Sequence, residues 1–280
     1  MKMIPWLIII NIILILIATA PIIYLSGPKL FDHYELLKLK ISASKFDTPE
    51  DIAHEKFVAH AGGGINGHVY TNSLEALNNN YENGFRYFEV DFQWTVDEKL
   101  VALHDWDQTI TKYFQSEPGR YTFKEYINLE MRGDLTHLSL GDVITWLEAN
   151  PEAYIITDIK KHNIKGLEKI AINYPKEVSR IIPQIYEIKE YPRVREMGYD
   201  NIIFTLYLNN YTDKLILDFV QNFDVFAITM PISRARTEMP SALNELDVYV
   251  YTHTVNDKTL LLELKDQGVD GFYTDFLSPE

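Results

Sequence analysis

The 280-residue chain contains no cysteine. That excludes disulfides, thiolate metal sites and a cysteine nucleophile. Positive charge is scarce too: 26 Lys and Arg stand against 40 Asp and Glu, a formal net charge of −14. Such a balance argues against nucleic acid as a partner, because phosphate backbones are held by clusters of Lys and Arg. A small phosphate substrate is not excluded, since one lysine and a metal ion offset a single phosphate locally. A glycine-rich phosphate fingerprint opening a helix after a strand is also missing, which disfavours an open doubly wound sheet. Against these absences stands an apolar content of 46%, enough for a large core. Glycine and proline are ordinary in number, so no long disorder is expected.

The apolar residues are concentrated first at the N-terminus. Trp6 to Leu25 is interrupted clearly only by Asn11, Thr19 and Pro21. A helix of about 20 residues spans roughly 30 Å, the thickness of a bilayer core. Trp6 and Tyr24 lie at its ends, where amphipathic rings prefer the headgroup zone. Ala18-Thr19-Ala20 has the form of a signal-peptide cleavage site, but the stretch is long for a signal core and Pro21 would follow the cut. Residues 1–26 are therefore expected to be an uncleaved signal-anchor crossing the membrane once, with the following domain on the exported, periplasmic or extracellular face. Residues 27–55 read as a polar connector, and 56–280 as one domain.

Within that domain short β-rich runs alternate with amphipathic stretches. The runs are Phe57–His60, Tyr87–Phe92, Tyr154–Lys160, Arg180–Tyr186, Asn201–Tyr207, Val225–Met230, Val248–His253 and Gly271–Phe276. Helical patterns cover Ser73–Asn83, Ser139–Ala149, Glu190–Met197, Asp213–Asn222 and Asp257–Gln267. Eight such units predict a (β/α)8 TIM barrel. One further run, Leu100–His104, follows the second strand too closely for a parallel crossover and is expected to form a hairpin with it. With Asp97-Glu98 as the turn, counting back places His104 near Asp91. Residues 106–138 then form an insertion over the barrel mouth.

Reactive groups in such barrels sit at the C-terminal ends of strands. Glu89 and Asp91 are two apart, so both point inward. Paired buried carboxylates need a cation or a basic partner, and a hard divalent ion with oxygen ligands is one solution. Lys160 is the other candidate partner. Asp158 and Lys160 also share a face, where Asp158 can complete a metal set and Lys160 can hold a phosphate oxygen; a plain ion pair between them is the alternative. His60 and His104 are the candidate proton carriers for cleaving a phosphodiester, one for the nucleophile and one for the leaving alkoxide. Gln184, Tyr186, Tyr207, His253 and Asp275 occupy further strand ends.

His60-Ala61-Gly62-Gly63, Asn72-Ser73-Leu74-Glu75-Ala76, Glu89-Val90-Asp91 and His104-Asp105, followed by Asp158-Ile159-Lys160, Thr254-Val255-Asn256 and Gly268-Val269-Asp270-Gly271, resemble in order the motifs of glycerophosphodiester phosphodiesterases. The resemblance runs from Phe57 to the C-terminus. It implies a phosphatidylinositol-phospholipase-C-like barrel, His60 and His104 as acid and base, Glu89, Asp91 and Asp158 as ligands for Ca2+ or Mg2+, and Lys160 on the phosphate. In one branch of the family Gln184 and Tyr207 line the pocket; His253 stands near a usual tryptophan and is taken as a further substrate contact. The expected substrate is a small-molecule or lipid-derived phosphodiester, released as an alcohol and a glycerol phosphate. The chain departs from the family at Ala61, where arginine is usual, at Tyr70-Thr71 in place of Pro-Glu, and at Asp158 in place of glutamate. The departures at Ala61 and the missing glutamate keep open a membrane-tethered protein that only binds glycerol phosphate or anionic glycans; the aromatic insertion 106–138 keeps open a sphingomyelinase-D-like or phosphoinositide-cleaving enzyme that meets lipid there, with a packed insertion as the alternative.

Overall fold

The structure, a computed structural model, describes Leu36, Leu39 and residues 52–279. The proposed span Trp6–Leu25 lies outside the described residues, and among these no helix is long and apolar enough to cross a membrane.

Among the described residues nine strands form: β1 Phe57–Ala59, β2 Tyr87–Trp94, β3 Leu100–Ala102, β4 Tyr154–Asp158, β5 Ile181–Ile185, β6 Ile203–Thr205, β7 Ala227–Pro231, β8 Val250–His253 and β9 Gly271–Thr274. Eight are parallel neighbours, in the order β1-β9-β8-β7-β6-β5-β4-β2, and β1 closes the ring on β2. All eight runs expected from the sequence are therefore barrel strands. β3 pairs with β2 antiparallel, with Trp94 opposite Leu100 and Phe92 opposite Ala102. The hairpin turn is closed by Thr95 N–H donating to Lys99 C=O (2.8 Å). Leu103 N–H donates to Asp91 C=O (3.0 Å), so His104 lies one residue past Asp91's partner, as the counting required.

The period of two along each strand divides the barrel interior by height. Val58, Tyr87, Ile156, Ile182, Ile203, Ala227 and Tyr251 pack together as an apolar floor. The next inward position on several of these strands is polar: His60 after Val58, Glu89 after Tyr87, Asp158 after Ile156, Gln184 after Ile182, His253 after Tyr251. The opposite face of β2 serves the outer layer. Phe88 is fully buried there against Trp146, with ring centroids 4.9 Å apart. Truncating such a side chain costs about 3–5 kcal/mol.

The surrounding helices begin where their caps say they should. Ser73 accepts from Ala76 N–H (3.3 Å) ahead of the helix Leu74–Glu82, and Ser139 with Asp142 forms a capping box ahead of Leu140–Ala149. Among the described residues, helices beyond those expected from the sequence include Asn163–Asn173 and Met239–Asn244, besides the single turns Phe123–Tyr126 and Ile232–Ala235. The first has no side-chain cap and carries Gly166 in its second turn, so no start signal announces it. That glycine serves packing: a Cβ there would lie 2.7 Å from Ile159 Cδ1.

The insertion carries its own small core. Trp106, Ile110, Tyr113, Phe114 and Tyr126 pack with Val101 and Leu103 of the hairpin. The phenol of Tyr126 donates to Ala102 C=O (3.0 Å) and that of Tyr113 to Val69 C=O (2.7 Å). These rings are buried, while Tyr121 and Phe123 beside them are half-buried.

Candidate active site

The upper end of the barrel holds a cavity of about 150 Å³ lined by His60, Tyr70, Glu89, Asp91, His104, Asp158, Lys160, Gln184, Tyr207 and His253, among others. His60, His104, the three acids, Lys160, Gln184, Tyr207 and His253 are thus brought to one cavity, while Tyr186 and Asp275 stand behind its lining as partners of Asp158 and His60.

At its base, ligand oxygens of Glu89, Asp91 and Asp158 all lie within 4.8 Å of one another. Each carboxylate is held differently. Glu89 accepts Ala61 N–H on Oε2 (2.8 Å), while its buried Oε1 accepts nothing. Asp91 is gripped by Asn72, whose Nδ2 donates to Oδ2 (3.0 Å) and whose Oδ1 accepts Asp91 N–H (3.0 Å). Asp158 accepts from the phenols of Tyr186 and Tyr207. Lys160 Nζ bridges Asp91 Oδ1 (2.8 Å) and Asp158 Oδ2 (3.1 Å). The ion pair offered as an alternative from sequence is therefore present, but one ammonium serves two acids and Glu89 is left out.

Electrostatics follow from that shortfall. Burial, then repulsion from Asp91 and Asp158, pushes the Glu89 carboxyl well above its usual range. Burial also raises Asp158, against the pull of Lys160. Asp91 moves down despite its burial, because Lys160 and, secondarily, His104 favour its charge. A hard divalent cation fits this cluster: three converging oxygen donors, a net negative charge, and a buried oxygen on Glu89 with no other partner.

The two histidines stand above the acids. His60 extends β1 and pairs through Nδ1 with Asp275 Oδ1 (2.9 Å). Asp275 is fixed in turn by Asn256, which donates to Oδ2 (2.7 Å) and accepts Asp275 N–H (2.8 Å). His104 pairs through Nδ1 with its neighbour Asp105 (2.8 Å). Burial opposes the charge of Asp105, but hydrogen bonds from His104, Thr109 and backbone N–H groups prevail and lower it to about 2. A carboxylate on Nδ1 fixes the proton there and leaves Nε2 of each ring as the exchangeable nitrogen. His253 is different. Burial, then the positive charges of His60 and Lys160, depresses it to about 4, so it enters the cavity neutral.

Three partners were not among the expected site residues. Asp105 and Asn72 appear in the motifs only as neighbours of other residues, and Tyr70 appears only as a departure from a family pattern. Tyr70 stands between the histidines, its ring centroid 4.7 Å from that of His60 and 4.5 Å from that of His104. Tyr207, expected to face substrate, has its hydroxyl engaged by Asp158 and presents only its ring.

Comparison with known proteins agrees with this geometry. Residues 60–278 match the glycerophosphoryl diester phosphodiesterase family. A glycerophosphodiester phosphodiesterase of Bacillus altitudinis is 22% identical over 244 residues, covering 79% of this chain and 94% of the relative. The fold is shared with a Thermotoga maritima glycerophosphodiester phosphodiesterase (TM-score 0.63, 19% identity, 80% of this chain and 96% of that one). It is also shared with an Oleispira antarctica phosphodiesterase solved with its product sn-glycerol-3-phosphate (TM-score 0.62, 16% identity, 84% and 95% covered). The chain belongs to the glycerophosphoryl diester phosphodiesterase family and is a phosphoric diester hydrolase.

Proposed function

We propose that this protein hydrolyses glycerophosphodiesters to an alcohol and sn-glycerol 3-phosphate, with His60 and His104 as the proton carriers. The observation that carries the reading is the pairing of each imidazole with a carboxylate through Nδ1 at the wall of one cavity whose floor is an acidic trio. One Nε2 takes the proton from the attacking oxygen, a water or a neighbouring substrate hydroxyl. The P–O bond to the alcohol breaks, and the other ring returns a proton to the departing oxygen, so charge is conserved. Glu89, Asp91 and Asp158 would hold Ca2+ or Mg2+, which would supply Lewis-acid stabilisation of phosphoryl charge. Lys160, whose ammonium lies at the cavity beside Asp91 and Asp158, would hold a phosphate oxygen. Gln184, His253 and the ring of Tyr207 shape the space for the organic group.

The domain is held at the exported face of a membrane by the segment 1–26, with 27–55 as connector. A binding-only protein is the second reading, favoured by Ala61, which offers no charge beside His60. The experiment that separates them is turnover of glycerophosphodiesters by the purified protein under EDTA and after addition of Ca2+ or Mg2+. Chelation abolishes hydrolysis and either metal restores it; full activity in EDTA removes the metal from the reaction, and no turnover with any metal favours the binding protein. Mass analysis of the membrane-extracted protein gives a chain starting at or near Met1; a chain starting at Pro21 rejects the anchor.

A further inference from the structure

The phosphoryl group in this cavity needs hydrogen-bond donors, and the protein has already committed several of them. The phenols of Tyr186 and Tyr207 both donate to Asp158. Lys160 is shared between Asp91 and Asp158. Asn72 spends its amide on Asp91. Not every polar group is committed: His253 Nε2 is buried in the same cavity without a partner, and Tyr70 is free as well. It lines the cavity, it is only partly buried, and among the described residues its hydroxyl has no hydrogen-bond partner. Its ring is wedged against both His60 and His104. The backbone supporting it is unusual: φ is +61° at Tyr70 and +46° at Asn72. Left-handed backbone costs a bulky residue about 1–2 kcal/mol and persists only where the surroundings impose it. Here Asn72 N–H donates to Ala61 C=O (3.0 Å) and the Tyr113 phenol holds Val69 C=O (2.7 Å), so the chain is pinned on both sides of Tyr70.

We propose that Tyr70 is a catalytic residue of this enzyme: its hydroxyl donates a hydrogen bond to a non-bridging phosphate oxygen, while its ring fixes the spacing of the two imidazoles. A neutral donor suits this position. It stands among Asp275, Asp91 and Glu89, and the phenol, raised by burial and by those charges, keeps its proton. The inference rests on the phosphodiesterase reading, and the test is built to separate the two.

Full-length wild type, Tyr70→Phe, Tyr70→Leu and His60→Ala are compared with Ca2+ present, by turnover of a glycerophosphodiester and by calorimetric binding of sn-glycerol 3-phosphate and of inorganic phosphate. Phenylalanine keeps the ring and meets the same backbone cost as tyrosine, so Tyr70→Phe folds as wild type does. A hydrogen bond to a charged oxygen implies that Tyr70→Phe binds both phosphates about ten- to a hundredfold more weakly, with a matching fall in kcat/KM. Tyr70→Leu loses further in kcat, because the imidazoles are no longer spaced. His60→Ala loses turnover but still binds phosphate. If Tyr70→Phe binds and turns over like wild type while His60→Ala is dead, the Tyr70 proposal is overturned and the phosphodiesterase reading stands. If wild type binds phosphate without turnover and Tyr70→Phe binds it more weakly, the donor role of Tyr70 holds and the hydrolase reading fails. Wild type that does neither overturns both.

Discussion

The two imidazole–carboxylate pairs look alike and are built in opposite ways. His60–Asp275 joins residues 215 apart in sequence and exists only because β1 and β9 close the barrel side by side. Its side chains are 12% and 5% exposed. His104–Asp105 joins neighbours on a hairpin, with side chains 34% and 31% exposed. One pair depends on the completed fold, the other on a local turn. The buried pair is far less open to solvent than the exposed one, so its geometry is set mainly by protein groups.

That contrast is open to attack by mutation. The largest effect falls on the rings themselves. His60→Ala and His104→Ala each lower kcat by about 10²–10⁴-fold without loss of fold, as read by steady-state turnover and circular dichroism. Undiminished turnover in either variant removes that ring from the reaction. The carboxylates come next, and here the pairs should part. Asparagine at 275 can turn its amide toward Nδ1 and drive the proton onto Nε2, the wrong tautomer, and Asn256 holds it there. Asp275→Asn therefore loses on the order of a hundredfold in kcat. Asp105→Asn, at the solvent-accessible pair, loses about tenfold or less, because water can serve Nδ1 of His104. Equal losses in the two variants would erase the distinction between them. The smallest effect concerns acid. The folded-state pKa of Asp105 is depressed from 3.8 to about 2, so its stabilising contribution is complete above the unfolded value and disappears as pH falls through the interval between them. Below pH 4 the melting temperature of wild type accordingly falls slightly more steeply than that of Asp105→Asn. Parallel curves would mean that the hydrogen bonds around Asp105 add nothing net.

The same contrast explains what could be read from the sequence. Strands with β-branched and aromatic runs, such as Ile155-Ile156-Thr157 and Tyr249-Val250-Tyr251, declare themselves. The hairpin register followed from a turn length, and it carried His104 to Asp91. Glu89 and Asp91 were legible as a pair because strand period alone sets their face. Asp105, adjacent to its histidine, was visible in a motif without its function being evident. The tie between Asp275 and His60 requires barrel closure and is invisible to any local pattern. Tyr70 is less legible still, since its position depends on a left-handed backbone imposed by contacts from Ala61 and Tyr113. Helix Asn163–Asn173 escaped for a simpler reason: an uncapped start and an internal glycine whose only visible use is the close approach of Ile159.

The aromatic core of residues 106–138 has one more effect. It packs on Leu103, immediately before His104, and through the Tyr113 phenol it clasps Val69, immediately before Tyr70. Two segments distant along the chain are thereby riveted to a single patch of protein outside the barrel. Both segments also reach the acids, the first through Leu103 N–H on Asp91 C=O and the second through the Asn72 side chain on Asp91, so the aromatic core, the ring of His104, the phenol of Tyr70 and one carboxylate share a single chain of contacts.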